Sequence, residues 1–572
     1  MFSRWLCIAA VFLIWIAPAW AQTKAPLRFV PSQAEWVVKV DRPRTLVDTI
    51  EKHALFQQAQ KLAGIREYYD TTSFQQAYQL LAYFEKQLGQ DRYEILEDLT
   101  AGGVIIAARL TPPKGAVFVM QAKDDVKLRK FLDVAFDVLQ KELNRQESKD
   151  KLVRSKYEGY DVGKIGSNLT FAIADGALIV GSDEKVLKAA LEAQLKKNGI
   201  LQNANFSKAR KQASPNALAW TWLHLAELRK NEDFQNGLNA AALDPFQMVL
   251  FGGLSDLLKR APYLTAALTR DGDDYRLGAY MPVGSDGMAP IKHMILPTDA
   301  KSGTLPLLQV PRAISSSSFV LDLGQLWNNR LEILGEKNAQ GLDEGEKNIA
   351  KILGGIKLSK VLNAMGSNQR LVFAQQKERP YKIKAAAPFP AFALVTEMRD
   401  PSFAKDMNSI FRSGALVATF SFGLQLKETT YKNCDLVSYY FSETKKVEGD
   451  PGNSRFNFSP TYVTVGNQFV MSATAELARD LVDVLQAEQA QKLSKASMQT
   501  RLYSSGLAEI IRSNEDATLT QLILAQALPP KAAKEELRTL LNFIEQLGSL
   551  RIETNYGANE FRFDVLWQAK KK

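Results

Sequence analysis

A tyrosine followed four residues later by an aspartate occurs twice in similar surroundings. Tyr157 and Asp161 lie in Tyr157-Glu158-Gly159-Tyr160-Asp161-Val162, and Tyr431 and Asp435 lie in Tyr431-Lys432-Asn433-Cys434-Asp435-Leu436. On a single strand, residues i and i+4 point to the same face, so phenol and carboxylate are expected side by side as candidate ligand-binding groups. The plainer reading is a strand whose tyrosine packs on a helix. Other chemistry is thinly represented. The three histidines are His53, His224 and His293. His53 is assigned to the first helix, His224 to a structural or surface position near Glu227, and His293 to a linker. None has the short spacing of a zinc site, so no metal site is expected.

Nucleophile and phosphate motifs fail in the same way. There is no Gly-x-Ser-x-Gly elbow. The run Ser315 to Ser318 reads as a turn and edge feature at the start of a strand, and Cys434 as a packed thiol. Gly163-Lys164 has too few preceding residues for a P-loop and no Ser or Thr after it. Asp271-Gly272-Asp273-Asp274 lacks the bidentate Glu of a calcium loop and reads as a β-turn. No catalytic residue is identified, no cofactor is expected, and pairs of acids have no ranking without a fold.

The elements that must position these residues repeat. Residues 170–180 and 461–471 each read as a hairpin, turning at Asp175-Gly176 and at Gly466-Asn467. A helix is expected after each, over 186–195 behind a Ser182 cap and over 477–485 behind Thr474. Val30-Pro31 and Asp41 recur as Val310-Pro311 and Asp322; Leu225-Ala226-Glu227-Leu228 recurs as Leu507-Ala508-Glu509-Ile510; and Asp273 to Leu277 matches Asn559 to Phe563. Blocks in the same order at a period far above that of solenoids imply domain duplication. The expected plan is α+β: two tandem similar modules, residues 25–283 and 305–572, each an antiparallel sheet with helices packed on one face. Between them, 284–304 contains Pro290, Pro297, Gly284, Gly287 and Gly303 and reads as an extended linker. Its apolar members are expected to lie against a module.

The chain has 572 residues, 72 Lys+Arg and 62 Asp+Glu, for a formal net charge of +10. The two signs are interleaved, which implies a mixed solvated surface and argues against nucleic acid as a partner. Residues 1–21 read as a signal peptide: Arg4, an apolar run over 5–17, then Ala19-Trp20-Ala21. Export to the periplasm or medium is therefore expected, with no transmembrane segment in the mature chain. Loss of Cys7 would leave Cys434 as the one cysteine, so no intrachain disulfide is expected.

The opening at Val30-Pro31, the Tyr157 to Val162 strand and the hairpin ending in Leu178 to Asp183 resemble an exported bacterial family known only as a domain of unknown function. The second copy departs by Cys434 in place of Tyr160 and an insertion over 447–459. The resemblance implies a duplicated α+β module and brings no catalytic residues. Two functions follow as expectations. The first is a non-catalytic cell-envelope protein with a binding or scaffolding role, its partner an anionic envelope polymer or another envelope protein. The alternative is an envelope-polymer hydrolase whose acid pair is not identifiable from sequence.

Overall fold

The computed structural model describes residues 25–570 apart from 167–168, 241–244, 290, 297–302, 353–354, 379, 451 and 489–492. The signal peptide expected at 1–21 lies outside the described residues. The chain divides into two compact units, one of residues up to Asn236 with Arg260–Pro282, the other of Gly237–Lys259 with Val283–Lys572. Gly237–Lys259, read above as part of the first module, clusters with the second. A local reason is Gly253, where an added Cβ would come within 2.3 Å of Ile295 and 3.0 Å of the Tyr556 hydroxyl.

The first unit contains β1 (Trp36–Val40), β2 (Val104–Arg109), β3 (Gly115–Gln121), β4 (Leu152–Tyr157), β5 (Tyr160–Ile165), β6 (Leu169–Ala174), β7 (Ala177–Gly181), β8 (Ala217–Leu223), β9 (Leu264–Asp271) and β10 (Asp274–Met281). They pair antiparallel in the order β10-β9-β8-β1-β2-β3-β7-β6-β5-β4. The second unit contains β11 (Ala313–Val320), β12 (Met365–Ala374), β13 (Ala391–Met398), β14 (Leu424–Tyr431), β15 (Cys434–Phe441), β16 (Thr461–Val465), β17 (Gln468–Ser472), β18 (Met498–Tyr503), β19 (Ser549–Tyr556) and β20 (Phe561–Gln568). These pair as β20-β19-β18-β11-β12-β13-β17-β16-β15-β14, again antiparallel. The α+β class with antiparallel sheets is thus observed, and strand order is the same in both units.

Local chemistry accounts for the elements. The β6–β7 hairpin turns at Asp175 and Gly176 with φ of 51° and 74°, the left-handed geometry that a two-residue hairpin loop needs. The helix after it is Glu184–Leu195, capped by Asp183, which accepts from the Val186 amide at 2.9 Å. Asp183 therefore takes the role expected of Ser182. The corresponding helix, Ala475–Ala487, is capped by Thr474, which accepts from the Leu477 amide at 3.3 Å.

Helices cover both sheet faces, not the single face expected. Along β6, Ala172 and Ala174 join a core with Leu187 and Leu191, while Ile173 joins a second core with Leu128 and Leu132 of helix Asp125–Arg145. In β17, Val470 belongs to one core with Leu481, while its neighbour Phe469 lies in another with Phe403 of helix Ser402–Phe422. Strands such as β6 are apolar at successive positions because both faces are buried.

The described part of 284–304 is not simply extended. Lys292–Ile295 forms a short helix. Ile291, Met294 and Leu308 are buried. Gln499 Nε2 donates to Thr304 Oγ1 at 3.1 Å and to the Leu305 carbonyl at 3.0 Å, pinning the strap that leads into β11.

Candidate functional site

Tyr157 and Asp161 do not share a strand. Glu158 and Gly159, with φ of 49° and 86°, reverse the chain, so Tyr157 ends β4 opposite Tyr160, and Asp161 lies in β5 opposite Lys156. Tyr431 and Asp435 are parted in the same way by Lys432 and Asn433, with φ of 48° and 63°. The expected side-by-side pair is corrected on this point: a tight turn falls inside the motif.

Each tyrosine instead reaches a carboxylate on the following helix. The Tyr157 hydroxyl donates to Glu192 at 3.2 Å, and Tyr431 donates to Asp483 at 3.1 Å. Each carboxylate also holds a lysine, Lys196 Nζ at 3.0 Å from Glu192 and Lys432 Nζ at 2.8 Å from Asp483. A lysine lies over each ring as well, Lys188 at 5.4 Å from the Tyr157 centroid and Lys432 at 5.7 Å from that of Tyr431. Partial burial, then the bond to Glu192, raises the Tyr157 phenol above its ordinary value. The lysine bond holds the Glu192 carboxyl below its own. A phenol raised in this way holds its proton more tightly and is a poor acid, and a carboxylate already paired is a poor proton acceptor. The arrangement fastens the hairpin to the helix.

The two aspartates are spent elsewhere. Asp161 pairs with Arg129 at 2.9 Å, which lowers its carboxyl, and Asp435 accepts from Thr430 Oγ1 at 3.0 Å. Sequence reasoning missed Glu192 and Asp483. A signal was available: each acid stands nine positions after its cap residue, Asp183 or Thr474.

Of the histidines, His53 does not belong to the first helix, Pro43–Glu51; it caps the next, Ala54–Ala59, by accepting from the Leu55 amide at 3.3 Å. His224 is tilted against Trp222 with ring centroids 4.9 Å apart and has Asn205 at 3.4 Å. Burial lowers the His224 pKa. His293 lies in the helix Lys292–Ile295. Cys434 is buried at the start of β15, with Gln486 Nε2 3.5 Å from its sulfur. Asp271 and Asp274 flank the two-residue turn between β9 and β10. Among the described residues, no group of three or more His, Cys, Asp or Glu is placed to hold a metal ion.

The serine run is not an edge feature. It occupies β11, a strand paired on both sides, and Ser316 and Ser318 are fully buried. Opposite Ser318 stands Arg370, also fully buried, whose guanidinium meets Glu488 at 2.7 Å, Gln468 at 3.3 Å and the Pro306 carbonyl at 3.4 Å. A buried arginine held by a carboxylate and two neutral acceptors fixes the strap and the sheet together.

An open groove of roughly 430 Å³ lies in the first unit, lined by Arg44, Asp48, Glu51, Lys52, Phe56, Gln57, Gln60 and Tyr93. Asp48 is 3.1 Å from Arg44 and 3.6 Å from Lys52, and Glu51 accepts from the Tyr93 hydroxyl at 2.8 Å. The two acids lie on one helix, one turn apart. Two acids one turn apart on one helix do not face each other across a cleft as the paired carboxylates of glycoside hydrolysis do. The lining mixes cations, acids, amides and aromatic edges.

No protein-family profile matches the chain, and no curated protein matches it. Among solved structures, crystal form I of TP0453 is similar at 12% identity and a TM-score of 0.25, over 46% of this chain and 81% of that one. Crystal form III gives 12% and 0.25 over 48% and 86%, and crystal form IV gives 11% and 0.26 over 46% and 81%.

Proposed function

We propose that the chain is an exported, non-catalytic protein of the cell envelope, built by duplication of one α+β module, with a binding or scaffolding role. One observation carries this reading: both copies of the tyrosine motif are consumed in the same structural clamp, so the repeated polar residues hold the fold and leave no reactive group. Support for duplication comes from the ordered sequence blocks together with the repeated strand order. Support for export comes from the Arg4, apolar run and Ala19-Trp20-Ala21 pattern. The partner is an anionic envelope polymer or another envelope protein.

Crosslinking capture from envelope extracts, with the mature chain as bait, tests the reading. The expected result is one saturable partner, retained when Tyr157 and Tyr431 are replaced by phenylalanine. Failure to capture any envelope component, or loss of capture in those folded variants, would overturn it. Export has its own test: N-terminal sequencing of the protein recovered from the periplasm or medium is expected to start near Gln22, and a start at Met1 in a membrane fraction would refute it.

A further inference from the structure

His53 stands between two helices of the first unit, Pro43–Glu51 and Ala54–Ala59, and is built into both. Its amide donates to the Ile50 carbonyl at 3.2 Å, in the last turn of the first helix. Its carbonyl accepts from the Phe56 and Gln57 amides at 3.0 and 3.3 Å, in the first turn of the second. Its side chain caps that turn, ring Nδ1 accepting from the Leu55 amide at 3.3 Å. The usual capping residues are Ser, Thr, Asp and Asn, whose side-chain oxygens still accept in mild acid. An imidazole accepts only while it is neutral; imidazolium carries a proton on both nitrogens and has no acceptor. The cap therefore requires a neutral ring whose one proton is on Nε2.

The surroundings set where the second proton is gained. The ring is half-buried and meets Tyr275 of β10 edge-on, with centroids 5.6 Å apart, and the Tyr275 hydroxyl donates to the Thr49 carbonyl at 3.4 Å. Two charged groups of the β9–β10 hairpin face it, Asp273 and Arg270, which are 3.5 Å from each other. On the helix before it, Lys52 pairs with Asp48 at 3.6 Å and Glu51 accepts from the Tyr93 hydroxyl at 2.8 Å. Burial lowers the His53 pKa from its ordinary 6.5, with Asp273 opposing the shift and Arg270 adding to it. The neutral ring is thus held at neutral pH, and the proton is taken up only below the ordinary histidine range.

The second unit lacks this arrangement. The break after its first helix, Leu323–Asn328, holds Asn329, whose side-chain amide donates to the Gln325 carbonyl at 2.8 Å and does not titrate. In the first unit the consequence reaches the groove, whose lining includes Phe56, Gln57 and Gln60. Leu55 is the one buried residue of helix Ala54–Ala59, and so short a helix does not hold itself without a cap or packing.

We propose that His53 is a pH-sensitive hinge: on protonation it releases the Leu55 amide, helix Ala54–Ala59 unwinds from its N-terminus, and the groove wall made by Phe56, Gln57 and Gln60 loosens. This goes beyond the binding role proposed above and does not depend on it.

Hydrogen–deuterium exchange of the full mature chain, read on peptides spanning 54–60 and corrected for the intrinsic effect of pH on exchange, tests the hinge. Protection of this segment should fall about fivefold in the wild type between about pH 7.5 and about pH 5, the worth of one capping bond. His53→Asn keeps a capping side chain and removes the titration, so its protection should be the same at both pH values. Helix Arg330–Ile352 of the second unit should not respond in either protein. Magnetic resonance of isotope-labelled histidine gives a second readout, since the chain has three histidines. His53 should carry its proton on Nε2 at neutral pH and titrate in step with the loss of protection. An equal fall in His53→Asn, no fall in the wild type, or a ring protonated on Nδ1 at neutral pH overturns the proposal.

Discussion

Trp220 and Trp222 in the first unit, and Gln499 and Arg501 in the second, stand at the same places in sheets of the same strand order. The rows are read directly from the pairing. Trp220, Lys39, Ile105, Val119 and Ile179 run across β8, β1, β2, β3 and β7. The matching row is Gln499, Ser318, Arg370, Val395 and Val470. In the next row, Trp222, Val37 and Ala107 are matched by Arg501, Ser316 and Val372. The first unit fills this region with aromatic rings, Phe206 standing edge-on to Trp220 and Trp222 at 5.6 and 5.2 Å. The second fills it with a hydrogen-bonded arginine and glutamine that hold a strap. Strand order depends on hairpin turns and on which rows are buried; what fills a row is open to either solution.

The largest effects expected are those of Trp222→Ala and Arg370→Ala. The first removes a fully buried ring and should cost about 3–5 kcal/mol. The second leaves Glu488 without its cation and should cost a similar ~3–5 kcal/mol. Chemical denaturation separates the causes. Adding Glu488→Gln should return part of the stability lost in Arg370→Ala, because an uncompensated charge is removed. If it returns nothing, the arginine acts by volume alone, as the tryptophan does, and the contrast between the units fails.

Smaller effects probe what the units share. Tyr157→Phe and Tyr431→Phe should each lower stability slightly and to a similar extent, through loss of one hydrogen bond, with helix content unchanged in circular dichroism. A loss in one unit several times that in the other would mean that the two clamps are not equivalent.

The outline of this fold was legible because its signals are local. Asp175-Gly176 announces a hairpin, and Thr474 announces a helix start. The tyrosine motif was misread because neither Glu158-Gly159 nor Lys432-Asn433 is the Asn-Gly or Asp-Gly pair that most strongly marks a two-residue turn. Ser315 to Ser318 was misread for a different reason. Four serines suggest an exposed segment, and their burial depends on neighbours distant in sequence, β12, β18 and the strap at Thr304. Second-face coverage by helices such as Asp125–Arg145 was hidden likewise, since an amphipathic stripe does not say which face of a sheet it meets.

Ser316→Ala, at the place Val37 holds in the first unit, moves the second unit toward the apolar chemistry of the first, and Ser318→Ala removes the other buried hydroxyl of the strand. Both hydroxyls are buried without a hydrogen-bond partner among the described residues. Their removal should change stability by less than about 1 kcal/mol and should not lower it, since no bond is broken. Melting curves that fall by several degrees would show that the serines are part of the arginine network.

The smallest expected effect is a pH dependence confined to the first unit. Burial lowers the folded-state pKa of His224, so below the ordinary histidine range near pH 6.5 the unfolded chain binds the extra proton more readily. The stability held at neutral pH should therefore decline as pH falls through that range, and His224→Asn should flatten the decline. An equal slope in the variant would remove His224 as its source.

Under the proposed function, the repeated polar residues and the groove acids serve structure and binding and catalyse nothing. Incubating the mature chain with purified envelope polymer, and measuring both bound protein and soluble fragments, tests this most directly. The predicted result is saturable binding with no release of fragments above the protein-free control. Fragment release that disappears in folded Asp48→Asn or Glu51→Gln variants would contradict the account and establish a hydrolase.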